Sequence, residues 1–174
     1  LAERGAVMQA LLRGELDRAG YCALLRHLWA LYSALEAGLE RHAGTSAVRR
    51  LWRPSLRRAA RLASDLDALD QPGWRSRQDL TPAGQAYVQQ LLSLAPADPE
   101  RLLAHAYVRY LGDLYGGQLL AQRVRHQLGL ADGEGTAFYT FDDSRPIEQM
   151  RADFRTDLDA LTLLDMTAII GMGG

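Results

Sequence analysis

The 174 residues of this chain suffice for one ordinary domain with its own apolar core. Hydrophobic residues make up 48% and charged residues 24%, and a net charge of -1 gives no bulk attraction to nucleic acid or to an anionic membrane surface. The single cysteine, Cys22, excludes an internal disulfide and fits a reducing cytoplasm, and no apolar run approaches the roughly 20 residues that cross a bilayer.

The pattern is helical nearly throughout. Val7, Met8, Leu11 and Leu12 form a first stripe that ends near Gly14. Leu1 is not an initiator methionine and the chain opens inside this pattern, so an upstream segment is expected. Asp17 is placed to cap the next helix, in which Tyr21, Leu24, Leu25, Leu28, Leu31, Tyr32, Leu35 and Leu39 recur at helical spacing up to Gly44. A short piece around Ala47–Trp52 meets Pro54, and Ser55 opens a predicted helix over Leu56–Leu69 that closes at Gln71-Pro72-Gly73. Thr81-Pro82 and Asp98-Pro99 each read as a cap followed by a first-turn proline. They open helices to about Leu94 and Leu128, the second stopped by Gly129. Residues 133–143 form a packed non-helical stretch carrying Phe138, Tyr139 and Phe141, and Pro146 begins a last helix to about Leu161. No repeat or interdomain linker interrupts the chain, so one all-α domain is expected.

Three glycines, Gly112, Gly116 and Gly117, stand in the middle of the longest predicted helix. Each costs roughly 1 kcal/mol relative to alanine, roughly 3 kcal/mol together. That is a large fraction of a stability of about 10 kcal/mol. Gly112 and Gly116 are four apart and bare one strip of backbone. The spacing allows close packing of another helix, or close approach of a flat ligand with the helix bending where it is weakened. Tyr107, Arg109, Tyr110 and Asp113 crowd around the strip at mutually reachable spacings. Periodicity leaves both an exposed ion pair and a functional network open.

The run His105-Ala-Tyr-Val-Arg-Tyr-Leu-Gly-Asp-Leu-Tyr-Gly-Gly-Gln118 closely resembles the distal-helix signature of the heme oxygenase family. Gly14-Glu15, Tyr32-Ser-Ala-Leu-Glu36, Leu80-Thr-Pro-Ala83, Gly133-Glu-Gly-Thr-Ala-Phe138 and Phe154-Arg155 fall in matching order, so the resemblance covers almost the whole chain. It implies a single-domain helical bundle over residues 1–174 with a kinked distal helix, its N-terminal end and C-terminal helix incomplete. It implies heme as both cofactor and substrate, cleaved with molecular oxygen to biliverdin, carbon monoxide and ferrous iron. Gly112 and Gly116 match the glycines whose backbone covers the iron, and Gly117 and Met8 join the heme contacts. Asp113 matches the aspartate that holds ordered water and delivers protons, with Tyr32, Arg109 and Tyr110 in its hydrogen-bond network. Tyr107 matches the tyrosine near a heme propionate, and Arg151 and Arg155 would pair the propionates. Nothing resembles a nicotinamide or flavin fingerprint, so electrons would come from a separate reductase or ferredoxin. A biliverdin-using acceptor protein would complete the set of partners, in the cytoplasm.

One departure concerns the iron ligand. The family's proximal histidine falls just upstream of Leu1, and Glu3 matches the carboxylate that contacts it. His105, seven residues before Gly112, sits roughly 10 Å along the same helix and cannot reach the opposite face of the ring. His27, His42 and His126 read as surface or interhelix residues, so no metal ligand is assigned within the chain. Two other readings stay open: a heme-binding protein without turnover, for storage or sensing, and a helical domain with a cysteine nucleophile, as in thiamin-degrading relatives. The latter would need an activated Cys22 on a strongly apolar helix.

Overall fold

The computed structural model describes residues 9–77, 80–96, 98–141 and 146–171, with side chains to residue 160 except that of residue 100. Glu3 and Met8 lie outside the described residues. A helical stretch at residues 9–13 leads through a turn at Gly14 into α1 (Arg18–Arg41), followed by α2 (Ser46–Leu51), α3 (Ala59–Leu69), α4 (Pro82–Leu94), α5 (Pro99–Leu128) and α6 (Ile147–Gly171). Short 3-10 turns lie at Pro54–Leu56, Trp74–Ser76 and Ala137–Tyr139, and no strand occurs among the described residues.

The expected caps form. Asp17 accepts from the Gly20 amide at 2.7 Å, Thr81 from Gly84 at 3.3 Å and Asp98 from Arg101 at 3.0 Å. Gly129 ends α5 with φ of 64°, a left-handed conformation that glycine adopts without strain. The middle of the bundle is α1, packed on α3, α4 and α5. Its Tyr21, Leu25, Leu28, Tyr32, Leu35 and Leu39 are buried at helical spacing. Close helix–helix approach does use a glycine, but not one of the three in α5. A Cβ on Gly38 would stand 2.7 Å from Leu102 and 3.0 Å from Ala95, so the first turns of α5 press directly on α1 there.

The expected start of the third helix shifts. The chain makes a 3-10 turn at Pro54–Leu56, Arg57 is extended, and α3 begins only at Ala59. The cause is a tertiary cap. The Glu36 carboxylate of α1 accepts from the amides of Arg58 at 2.5 Å and Ala59 at 3.3 Å, which are free donors at a helix start. Arg58 then turns inward, 1% exposed, and donates to four carbonyls: Ser55 at 2.7 Å, Leu56 at 2.9 Å, Phe138 at 2.9 Å and Thr140 at 2.7 Å. Its guanidinium also lies 4.0 Å from the Phe141 ring centroid. This side chain ties the loop after α5 to the start of α3. Replacing it by Met should destabilise the protein by about 3 kcal/mol, because buried carbonyls lose charge-assisted donors. Urea unfolding measures this, and a loss near zero would show the loop held by its apolar contacts alone. The last helix runs further than expected, to Gly171, because nothing in its sequence stops it near Leu161.

Candidate functional site

The three glycines do not interrupt α5, which is helical from Pro99 to Leu128. Among the described residues a Cβ added at Gly112 meets nothing within 4 Å, and one at Gly116 meets only Leu120 of the same helix at 3.9 Å. Among the described residues no other helix packs onto this strip, so close packing by those helices does not account for these two glycines. Gly117 differs: its Cβ would stand 3.3 Å from the Tyr139 ring, so part of its role is to let the Ala137–Tyr139 turn approach α5. Val108, Tyr115 and Leu119 are exposed by 68%, 52% and 58%, and their spacing puts them on the same side of α5 as Gly112. Bare backbone flanked by exposed apolar side chains offers a flat apolar surface that water covers poorly.

This strip borders a cleft. Its walls are Leu11 and Leu16, then Tyr21, Leu24 and Leu28 of α1, then Gly112, Asp113, Gly117, Leu120 and Val124 of α5, with Phe138 and Tyr139 closing one end. The space between these walls, open solvent at its mouth included, is about 510 Å³. Aliphatic and aromatic walls with one carboxylate suit a large apolar ligand with a localised reactive centre. None of the four histidines is among the lining residues. His27 Nε2 accepts from the Thr81 amide at 2.9 Å, His42 Nε2 lies 2.6 Å from the Ala95 carbonyl and His105 Nδ1 lies 2.9 Å from the Tyr87 hydroxyl. His126 is exposed. Among the described residues no group of His, Cys, Asp and Glu could hold a metal ion.

Asp113 is 4% exposed at the edge of the glycine strip. The Tyr32 hydroxyl of α1 donates to its Oδ2. Burial, then the Asp113 charge, pushes the Tyr32 hydroxyl well above its ordinary value, so it stays a neutral donor. Tyr32 also packs on Tyr110 and Phe138, with ring centroids 5.7 and 5.8 Å apart. Tyr110 donates to Glu36 Oε1 at 3.2 Å and is likewise pushed up, first by burial and then by Glu36. Burial raises the Glu36 carboxyl, opposed by the Arg58 and Ala59 amides. The charge of Arg58 is felt by Asp113, Tyr110 and Glu36. Asp113 thus stands at the cleft end of a buried polar cluster.

The other expected site residues spread around this centre. Arg109 lies over the Tyr87 ring of α4, 5.1 Å from its centroid, and acts on Tyr32 through its charge. Tyr107 stacks on Phe154 of α6, with centroids 5.7 Å apart and planes within 7°. That contact brings Arg155 of α6, which is exposed, to the Tyr107 end of the strip. Arg151, the other residue expected to face a propionate, donates to the Leu114 and Tyr115 carbonyls of α5. Sequence patterning assigns no role to Glu36, Arg58, Val108, Tyr115 or Leu119. For Glu36 a signal existed: it lies four residues after Tyr32, on the buried face of α1. Cys22 is 3% exposed and burial pushes its thiol up, which removes the activation a cysteine nucleophile needs.

Fold and site together define an all-helical protein whose longest helix presents glycine backbone and a buried aspartate to an apolar cleft. The family model for heme oxygenase matches residues 1–169. The chain is 41% identical over 171 residues to heme oxygenase 2 of Synechocystis sp., covering 96% of this chain and 68% of that protein. It is 36% identical over 167 residues to heme oxygenase 1 of Nostoc sp., covering 96% of this chain and 70% of that protein. Among solved structures, the crystal structure of the Synechocystis heme oxygenase-2 with heme and NO superposes with a TM-score of 0.83 at 40% identity. That superposition covers 90% of this chain and 65% of the other, so the chain spans about two thirds of the length of these relatives. The heme oxygenase of Leptospira interrogans gives a TM-score of 0.84 at 32% identity, over 92% of this chain and 78% of that one. The chain belongs to the heme oxygenase family.

Proposed function

We propose that the protein binds heme in the cleft beside α5 and opens its ring with molecular oxygen, giving biliverdin, carbon monoxide and ferrous iron. The observation that carries this is the open space at Gly112 next to the buried Asp113–Tyr32 pair. Bound heme would supply the iron that activates oxygen and the ring that is consumed. The residues of the chain supply the rest. Gly112 and Gly116 let the ring approach the backbone, and Val108, Tyr115 and Leu119 border it with apolar surface. Asp113 holds a proton source at the glycine strip, and Tyr32 fixes its carboxylate. Tyr110, Glu36 and the charges of Arg58 and Arg109 keep that pair in place. Arg155, beside the Tyr107–Phe154 stack, would pair a propionate.

Oxygen and electrons come from outside, the electrons through a separate reductase or ferredoxin, in the cytoplasm. No helix among the described residues is long and apolar enough to cross a membrane. Heme storage or sensing without turnover would leave the buried donor pair at the glycine strip without a task. Full-length protein loaded with heme and given a reductant and oxygen should lose the heme absorption and gain that of biliverdin. Heme absorption that persists unchanged through repeated reduction would refute the reading.

A further inference from the structure

We propose that Arg151 is a positioning residue that fixes the glycine strip of α5 from behind. Its Nε and Nη2 both donate to the Leu114 carbonyl, at 3.0 and 2.5 Å, and Nη2 reaches the Tyr115 carbonyl at 3.4 Å. The same guanidinium lies 4.4 Å from the Tyr115 ring centroid, while Nη1 stands 3.9 Å from the largely exposed Glu148 carboxylate. Leu114 comes two residues after Gly112 and two before Gly116. Each residue turns an α-helix by about 100°, so Leu114 faces away from the strip. Arg151 therefore holds the backbone on the side opposite the glycines.

The chemistry suits that task. A helical carbonyl keeps a second lone pair after accepting its ladder bond, so a side chain can bind it without displacing the helix. A guanidinium fork donating to a carbonyl makes charge-assisted bonds of fixed direction. Arg151 is half-buried against α5, with 22% of its side chain exposed, and Leu114 is 1% exposed, so water competes weakly. The segment it grips contains three glycines and is the most weakly determined stretch of α5. Stacking on Tyr115 adds a second effect, because that ring borders the strip on the exposed side. One side chain of α6 thus sets both the backbone position of the strip and one of its apolar borders.

The inference rests on the heme-binding reading only for its consequence, so the test begins without heme. Amide hydrogen exchange is measured on the heme-free full-length protein, wild type against Arg151→Met and Arg151→Lys. Gln118 and Leu119 carry the ladder donors to Leu114 and Tyr115, and their exchange should accelerate about tenfold in both variants, while residues 121–128 exchange as before. Lysine retains the charge but cannot fork, so its agreement with Met identifies the fork as the active feature. Arg155→Met should leave exchange at Gln118 and Leu119 unchanged. In the heme-loaded protein, the carbon monoxide stretching frequency of the reduced complex should shift in Arg151→Met relative to the wild type. Unchanged exchange at Gln118 and Leu119 with weakened heme affinity alone would overturn the proposal in favour of direct pairing with a propionate. Acceleration spread evenly along α5 would overturn it in favour of plain stability. Failure of the wild type to take up heme would sink the functional reading while leaving the exchange result to stand or fall by itself.

Discussion

Replacing Asp113 by Ala should lower biliverdin formation by about 10²–10³-fold while heme affinity changes little, because a positioned proton donor contributes on this scale. The carboxylate is buried at the cleft edge and touches the Tyr32 hydroxyl, so its removal has two separable effects. One is chemical: the strip loses its proton source. The other is structural: the Tyr32 hydroxyl, 0% exposed, loses its acceptor at a cost of about 1–3 kcal/mol. A double variant separates them. Adding Tyr32→Phe removes the stranded hydroxyl and keeps the ring packed on Tyr110 and Phe138, so stability should largely return while turnover stays low. Single-turnover assays of heme-loaded protein and urea unfolding of both variants check this. Turnover that recovers together with stability would show that Asp113 serves only to hold the fold.

The sequence made the fold legible where local signals decide it. Asp17, Thr81, Asp98 and Gly129 set the ends of α1, α4 and α5 because each acts within one turn of its own helix. The start of α3 was not legible, because its cap comes from Glu36 in another helix and its first turn is bent by a buried arginine. Such a cap has no short-range pattern. The site divides in the same way. The cost of three glycines within a helix shows in the sequence, and so does the presence of Asp113 beside them. Which glycine faces space and which faces a neighbour does not, since Gly112 and Gly117 differ only in what the rest of the fold brings near them. Arg151 illustrates the limit most clearly. Its spacing from Arg155 suggests a pair serving one ligand, and nothing in that spacing shows that packing of α6 on α5 brings Arg151 onto carbonyls while Arg155 stays exposed.

The strip makes stability and activity move in opposite directions. Gly112→Ala should stabilise the ligand-free protein by about 1 kcal/mol, because the helix gains a residue of better propensity and the new methyl meets no described residue within 4 Å. The same methyl would occupy the space above the cleft edge where the ring must approach, so turnover should fall by about tenfold or more, the scale on which sub-ångström to ångström misplacement acts. Gly112→Leu should carry the effect to heme affinity itself. Gly117→Ala is the control: its Cβ would stand 3.3 Å from the Tyr139 ring, tighter than ordinary contact, so it gains less stability or none. Thermal unfolding without heme and heme titration of each variant test the pair. A Gly112→Ala protein that is more stable and fully active would mean that the strip faces no ligand, and the cost of its glycines would then need another cause. A less stable one would mean that the open space at Gly112 is filled in solution. Higher stability with lost turnover is the expected result, and it follows if backbone is left bare there to make room for a ring rather than to fit a neighbouring helix.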